Sequence, residues 1–154
     1  MVRIMVVDND STTLAICKGL LEEEYKVDLM KSGLQALGFL MKSKHQTPDL
    51  ILLAMHMPGT GGMETLQSIR NNAALASIPV LFLSESEMDD DRAELEGYQN
   101  GVNDFVKKPI LPDLLKVKVK RQLEIAALRN ENAALRGKIN RIRTLINSIC
   151  SENL

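Results

Sequence analysis

The sequence predicts an α/β fold, a doubly wound five-stranded parallel sheet, and three observations predict it. Short β-rich apolar runs occur five times, segments with helical spacing fall between them, and the central runs "MVV", "LILL" and "VLFL" are apolar without alternation. Strands joined by helical crossovers run parallel, and a parallel sheet is covered by helices on both faces, so its strands read as continuous apolar runs.

The elements follow in order. "RIMVV" (3–7) is the first strand, and helical spacing over 12–23 follows it, with Asp10 and Ser11 placed to cap that helix. "YKVDLM" (25–30) and a helix over 33–43 come next. "LILLA" (50–54) precedes a helix over 62–72, "IPVLFL" (78–83) an acid-rich helix over 89–99, and "DFVK" (104–107) is the fifth strand. After "KKPILPD" no breaker occurs until Gly137, so the last helix is expected to run on as one long rod. The expected organisation is a domain over 1–120 and a helical segment over 121–154.

Composition narrows the function classes. A chain of 154 residues holds one domain of ordinary size and some remainder, and with no Trp and few aromatics its core is aliphatic. No apolar stretch approaches the roughly 20 residues that cross a bilayer, and the N-terminus enters a strand without a signal-peptide plan, so a cytoplasmic protein with no membrane partner is expected. Cys17 and Cys150 match no metal or redox spacing and read as two reduced thiols. Residues 1–100 carry 8 Lys/Arg against 15 Asp/Glu, and 101–154 carry 11 against 5. The basic charges are spread along a helix without aromatics or glycine-rich stretches, which fits a solvated face better than a nucleic-acid surface.

In doubly wound folds the working site lies at the carboxyl ends of the strands. There the sequence offers "DNDST" (8–12), Ala54 with "MHMPG", Ser84, and Lys107, Lys108 and Pro109. Clustered carboxylates call for a hard cation such as Mg²⁺, and a lysine and a hydroxyl suit phosphoryl oxygens. Together the parts suggest acyl-phosphate chemistry.

Four segments carry a resemblance: "MVVDND", "PDLILLAMHMPGTGG", "VLFLSES" and "GVNDFVKKPI". They resemble the CheY-like receiver domain of two-component response regulators, over residue 2 to about residue 120. The resemblance implies a flavodoxin-like strand order 2-1-3-4-5. It assigns Asp8 and Asn9 to the acidic pair, Ser84 to the hydroxyl that follows the phosphoryl group, Phe105 to the aromatic switch, and Lys108 to the lysine before a cis-proline, Pro109. Ala54 stands where the family has its phosphoacceptor aspartate.

A methyl group offers neither a nucleophilic oxygen nor a metal ligand, so no aspartyl phosphate can form at Ala54. Asn9 brings an amide oxygen without charge, and Mg²⁺ binding through Asp8 and Asn9 is expected to be weak or lost, leaving no cofactor. The Lys108 ammonium is then expected to neutralise Asp8. Asp10 reads as a helix cap and His56 as a loop side chain. The chemistry is the same whether Ala54 is natural, as the second change at Asn9 suggests, or an introduced replacement of Asp.

The C-terminal helix carries Ile125, Leu128, Asn132, Leu135, Ile139, Ile142, Ile146 and Ile149 at spacings 3,4,3,4,3,4,3. That is a coiled-coil seam with Ile125, Asn132, Ile139 and Ile146 at a and the others at d. Ile at a, Leu at d and a lone Asn at a favour a parallel dimer. Glu124 and Glu131 at g face Arg129 and Arg136 at e of a partner in register, whereas Lys138 and Arg143 repel and Gly137 weakens the distal half.

The expected function is therefore a non-enzymatic, dimeric receiver that binds protein partners, such as a histidine kinase or a downstream effector, independently of phosphorylation. A second reading is an ordinary phosphorylated receiver with an engineered Ala54, shortened before an output domain such as a cyclic-dinucleotide enzyme. A third, weaker reading is a DNA-binding regulator. It suffers because the terminal helix leaves no room for a helix-turn-helix and "KVKVKR" (116–121) is only modestly basic.

Overall fold

In a computed structural model that describes residues 1–42, 46–85 and 91–152, strands and helices alternate along the chain. They are β1 (Arg3–Val7), α1 (Ser11–Leu21), β2 (Lys26–Met30), α2 (Gly33–Lys42), β3 (Leu50–Ala54), α3 (Gly62–Arg70), β4 (Val80–Glu85), α4 (Asp91–Gln99), β5 (Asp104–Lys108) and α5 (Pro112–Glu152). All neighbouring strands pair in parallel, in the order β2-β1-β3-β4-β5. The expected fold class and strand order both hold.

Alternation along the strands sorts the core into two layers. Met5, Val7, Ile51, Leu53, Val80, Phe82 and Phe105 face a layer that includes Ala36 and Leu40 of α2 and Leu66 and Ile69 of α3. Ile4, Val6, Leu50, Leu52, Leu81, Leu83 and Val106 face Leu14, Cys17 and Leu21 of α1 and Leu115 and Val119 of α5. Residues 4–7 and 50–53 are fully buried, which is why these runs read as apolar on both faces.

The fourth strand differs from expectation, starting at Val80 and not at residue 78, and ending at Glu85 and not at residue 83. Pro79 has no N–H for the ladder, although its carbonyl still accepts from Ile51 at 2.9 Å. The far end extends because Ser84 and Glu85 pair with Lys107 and Lys108. The first two residues of the helix expected over 89–99 and the last residue of that expected over 33–43 lie outside the described residues.

Pro112 opens α5, where its missing N–H is no loss, and the helix continues past Gly137. The chain divides into two units, Met1–Leu123 and Glu124–Leu154. The first contains the sheet, with Leu115, Val119 and Gln122 of α5 buried in it. In the second the described residues, 124–152, are helix alone. Among the described residues no helix is long and apolar enough to cross a membrane.

Candidate functional site

Asp8 follows β1 directly and is 1% exposed. Its backbone N–H donates to the Met30 carbonyl at 3.0 Å, and its Oδ1 accepts the Asp10 N–H at 3.0 Å. Its Oδ2 accepts from the Nζ of Lys108, the last residue of β5, at 2.8 Å. The same ammonium reaches Oε1 of Glu85, the last residue of β4, at 3.3 Å. Burial works against the charge on Lys108, but the hydrogen bond and attraction of Asp8, and then Glu85, outweigh it and hold the ammonium above the usual lysine range. A buried carboxylate needs such a partner.

Asp10 does not join this group. It is the N-cap of α1, accepting the Thr12 N–H at 3.0 Å and the Thr13 hydroxyl at 3.1 Å, and these bonds hold its carboxyl below the ordinary value. On the buried face of α1, burial, and then the Asp8 charge, push the Cys17 thiol up to about 12.

Ala54 ends β3, pairs with Leu83 of β4 and is 1% exposed. The chain beyond it is clamped by the Met55 N–H donating to the Leu83 carbonyl at 2.9 Å and the Gly62 N–H donating to the Met55 carbonyl at 3.0 Å. A Cβ at Gly62 would lie 2.3 Å from the Ala54 oxygen and 2.7 Å from Met55 Cα, so only glycine lets α3 start this close. On the neighbouring strand the Ser84 hydroxyl is buried and has no hydrogen-bond partner among the described residues. Asn9 and His56 are both exposed.

Phe105 lies deeper in the sheet, opposite Phe82 and 6% exposed. Its ring is 5.7 Å from that of Phe82 and 5.3 Å, edge-on, from that of Tyr98. Burial, then the charges of Asp104 and Glu94, raise the Tyr98 hydroxyl above its ordinary value. A Cβ at Gly97 of α4 would sit 2.7 Å from Phe105 Cζ, so the inward ring depends on that glycine.

The expected residues thus divide. Asp8 and Lys108 are in contact, Ala54 and Ser84 are buried on adjacent strand ends, and Asn9 is at the surface. The sequence reading missed Glu85 as a second partner of Lys108, because parallel register is not written in either strand alone. It also missed Gly62 and Gly97, whose lack of a side chain matters only once the neighbouring element is in place.

In the second unit Leu128, Leu135, Ile139, Ile142, Ile146 and Ile149 are exposed, between 48% and 59%, as is Asn132, while Ile125 is half-buried. Seven of the eight seam positions therefore leave a single helix unpartnered along one side.

The chain is 31% identical over 150 residues to the response regulator Rre1 of a Synechocystis species, covering 94% of this chain and 63% of that protein. It is 30% identical over 152 residues to the 3',5'-cyclic-nucleotide phosphodiesterase regA of Dictyostelium discoideum, covering 98% of this chain and 19% of that protein. It therefore spans less than two thirds of either relative. Among solved structures, the signal receiver domain of a signal transduction histidine kinase from Syntrophus aciditrophicus superposes with a TM-score of 0.71 at 29% identity, over 80% of this chain and 91% of that one. The family model for the response regulator receiver domain matches residues 4–120, and the chain belongs to that family.

Proposed function

We propose that this receiver of two-component signalling is phosphorylation-incompetent and acts by binding, as a parallel dimer joined through residues 121–154. One observation carries the first part: the methyl group of Ala54 occupies the buried strand end where phosphoryl transfer needs a carboxylate nucleophile. The residues present do not fit the Mg²⁺ that the family implies. Asp8 has one oxygen on the Asp10 N–H and the other on the Lys108 ammonium, Asn9 is uncharged, and no group of three metal-binding side chains exists among the described residues. Exposed seam positions in the second unit support the dimer, and in the first the surface around Phe105, on the last two strands and α4, is the face through which an effector or a kinase engages. A cytoplasmic location suits a partner of this kind.

The test is intact-mass spectrometry after incubation with Mg²⁺ and acetyl phosphate, beside an Ala54→Asp variant. The chain with Ala54 is expected to gain no phosphoryl mass; a gain of one phosphoryl group on it would overturn the reading.

A second reading has its own support: the Ser84 hydroxyl is buried without a partner and Lys108 keeps its place, as in a pocket that has lost one group. On that reading the chain is an ordinary receiver interrupted at one position, preceding an output domain of the kind that regA carries. Phosphorylation of the Ala54→Asp variant supports it, and an inert variant removes it.

A further inference from the structure

The two halves of the α5 seam differ in charge as well as in side-chain shape. Between Glu131 and Glu152 the chain has no acidic residue, but it has Arg136, Lys138, Arg141 and Arg143. Within that stretch Ile139, Ile142, Leu145, Ile146 and Ile149 are 53% to 63% exposed. In the heptad register Ile142 and Ile149 are at d, Ile139 and Ile146 at a, and Leu145 is at g, which widens the apolar stripe toward one side. Ile at both a and d fits more than two strands, unlike the Ile/Leu pattern of the proximal half.

The positions of the bases decide what this stripe accepts. Arg136 and Arg143 are at e and Lys138 at g, so three of the four cations border the stripe directly, on both sides. The outer positions hold Asn140, Thr144, Asn147, Ser148 and Ser151, with Arg141 the one base among them. Bases at the border of a stripe suit an anionic surface as well as an acidic helix, but the 3,4 repeat of a and d positions is the seam that a partner helix covers by knobs-into-holes packing. A second copy of this chain in register would set Lys138 against Arg143.

We propose that residues 136–149 form a docking face for an acidic amphipathic helix of another protein, with apolar residues at its a and d positions and Asp or Glu at its e and g positions. This deepens the dimeric reading above but does not require it. The proximal half, with Glu124 and Glu131 opposite Arg129 and Arg136, joins like to like, while the distal half is charged to reject its own copy and accept an unlike helix.

The experiment titrates the full chain into a fluorescent three-heptad peptide with Ile at a, Leu at d and Glu at e and g, followed by anisotropy. A second peptide differs only in Lys at e and g. The Glu peptide is expected to bind and to weaken as salt rises, and the Lys peptide is expected not to bind. In the chain with K138E and R143E together, which leaves the Glu131–Arg136 pair of the proximal half intact, affinity for the Glu peptide is expected to fall by about tenfold or more and the Lys peptide to gain. Equal binding of both peptides, binding of neither, or capture of the chain by phosphatidylserine vesicles without binding of the Glu peptide overturns the proposal. Sedimentation of the chain alone separates the two readings. A monomer that binds the Glu peptide ends the dimer reading and supports this one, and a dimer that ignores the peptide does the reverse.

Discussion

The ammonium of Lys108 lies 2.8 Å from the carboxylate of Asp8, 100 residues earlier in the chain, and joins the end of β5 to the end of β1. The Asp8 side chain is 1% exposed and that of Lys108 17%, so the pair is largely withdrawn from water. With a methyl group at Ala54, Lys108 is the charge that compensates Asp8, and its second partner, Glu85, is half in solvent at 49%.

Removing Lys108 therefore strands a buried charge. Lys108→Met is expected to cost about 3 kcal/mol in urea unfolding, because breaking a buried pair leaves the other member uncompensated. The double variant Asp8→Asn with Lys108→Met is expected to recover most of that loss. Equal losses in the single and double variants would mean that the pair contributes packing and not charge. The pH dependence has a definite sign. Folding raises the lysine above its ordinary 10.5, so the contribution is complete below that pH and is lost as pH rises through the folded value. Stability of the unaltered chain should fall above about pH 10.5 more steeply than that of Lys108→Met.

Gly97→Ala sets two effects against each other. Alanine is better than glycine inside a helix by about 1 kcal/mol, but its Cβ would meet Phe105 Cζ at 2.7 Å. That ring is held by Phe82 and Tyr98 and cannot swing aside freely, so overpacking at about 1–3 kcal/mol wins and the variant is expected to be less stable. Adding Phe105→Leu is expected to reverse the sign of the glycine replacement, turning it into a gain. Thermal denaturation of the four chains in this cycle checks it; additive effects would separate Gly97 from the position of the ring.

The two thiols are free and differ in environment, Cys17 on the buried face of α1 and Cys150 exposed on α5. With its pKa near 12, Cys17 has about one thiolate in 10⁴ molecules at pH 8. Iodoacetamide at that pH is expected to modify Cys150 alone in the folded chain and both thiols in urea. Peptide mapping reads this directly, and rapid alkylation of Cys17 in the folded chain would show that the α1 layer opens. The thiol also favours the folded state below its ordinary 9.0, and that contribution is lost as pH rises toward 12.

The fold was legible because burial on two faces leaves a mark in one dimension. "LILLA" became β3 at Leu50–Ala54 and "RIMVV" became β1 at Arg3–Val7 without adjustment. β4 shifted because its limits are set by a proline and by pairing with β5, which belong to neighbours and not to its own hydrophobicity. The site divides in the same way. Asp8, Ala54, Ser84 and Lys108 stand at strand ends, where position follows from the strands, and the Asp8–Lys108 contact was expected from their opposite charges. Glu85 was invisible because its role depends on the register between two strands. Gly62 and Gly97 were invisible because the absence of a side chain acquires meaning only from the atoms packed against it.

The seam offers the sharpest test of the second unit, because Asn132 is its one polar core position. In a parallel dimer the two Asn132 side chains meet and fix register at a cost in stability. Asn132→Ile is expected to raise the melting temperature of the helical signal and to shift sedimentation from dimer toward trimer or tetramer, since Ile would then occupy every a position beside two Ile at d. Leu135→Asp should act in the opposite sense, placing a charge in the same seam and leaving a monomer whose first unit is unchanged by circular dichroism in the strand region. The two substitutions lie three residues apart on one exposed face of α5, and neither position belongs to the sheet. If neither changes the sedimentation of the full chain, the 3,4 spacing of this stripe serves something other than self-association.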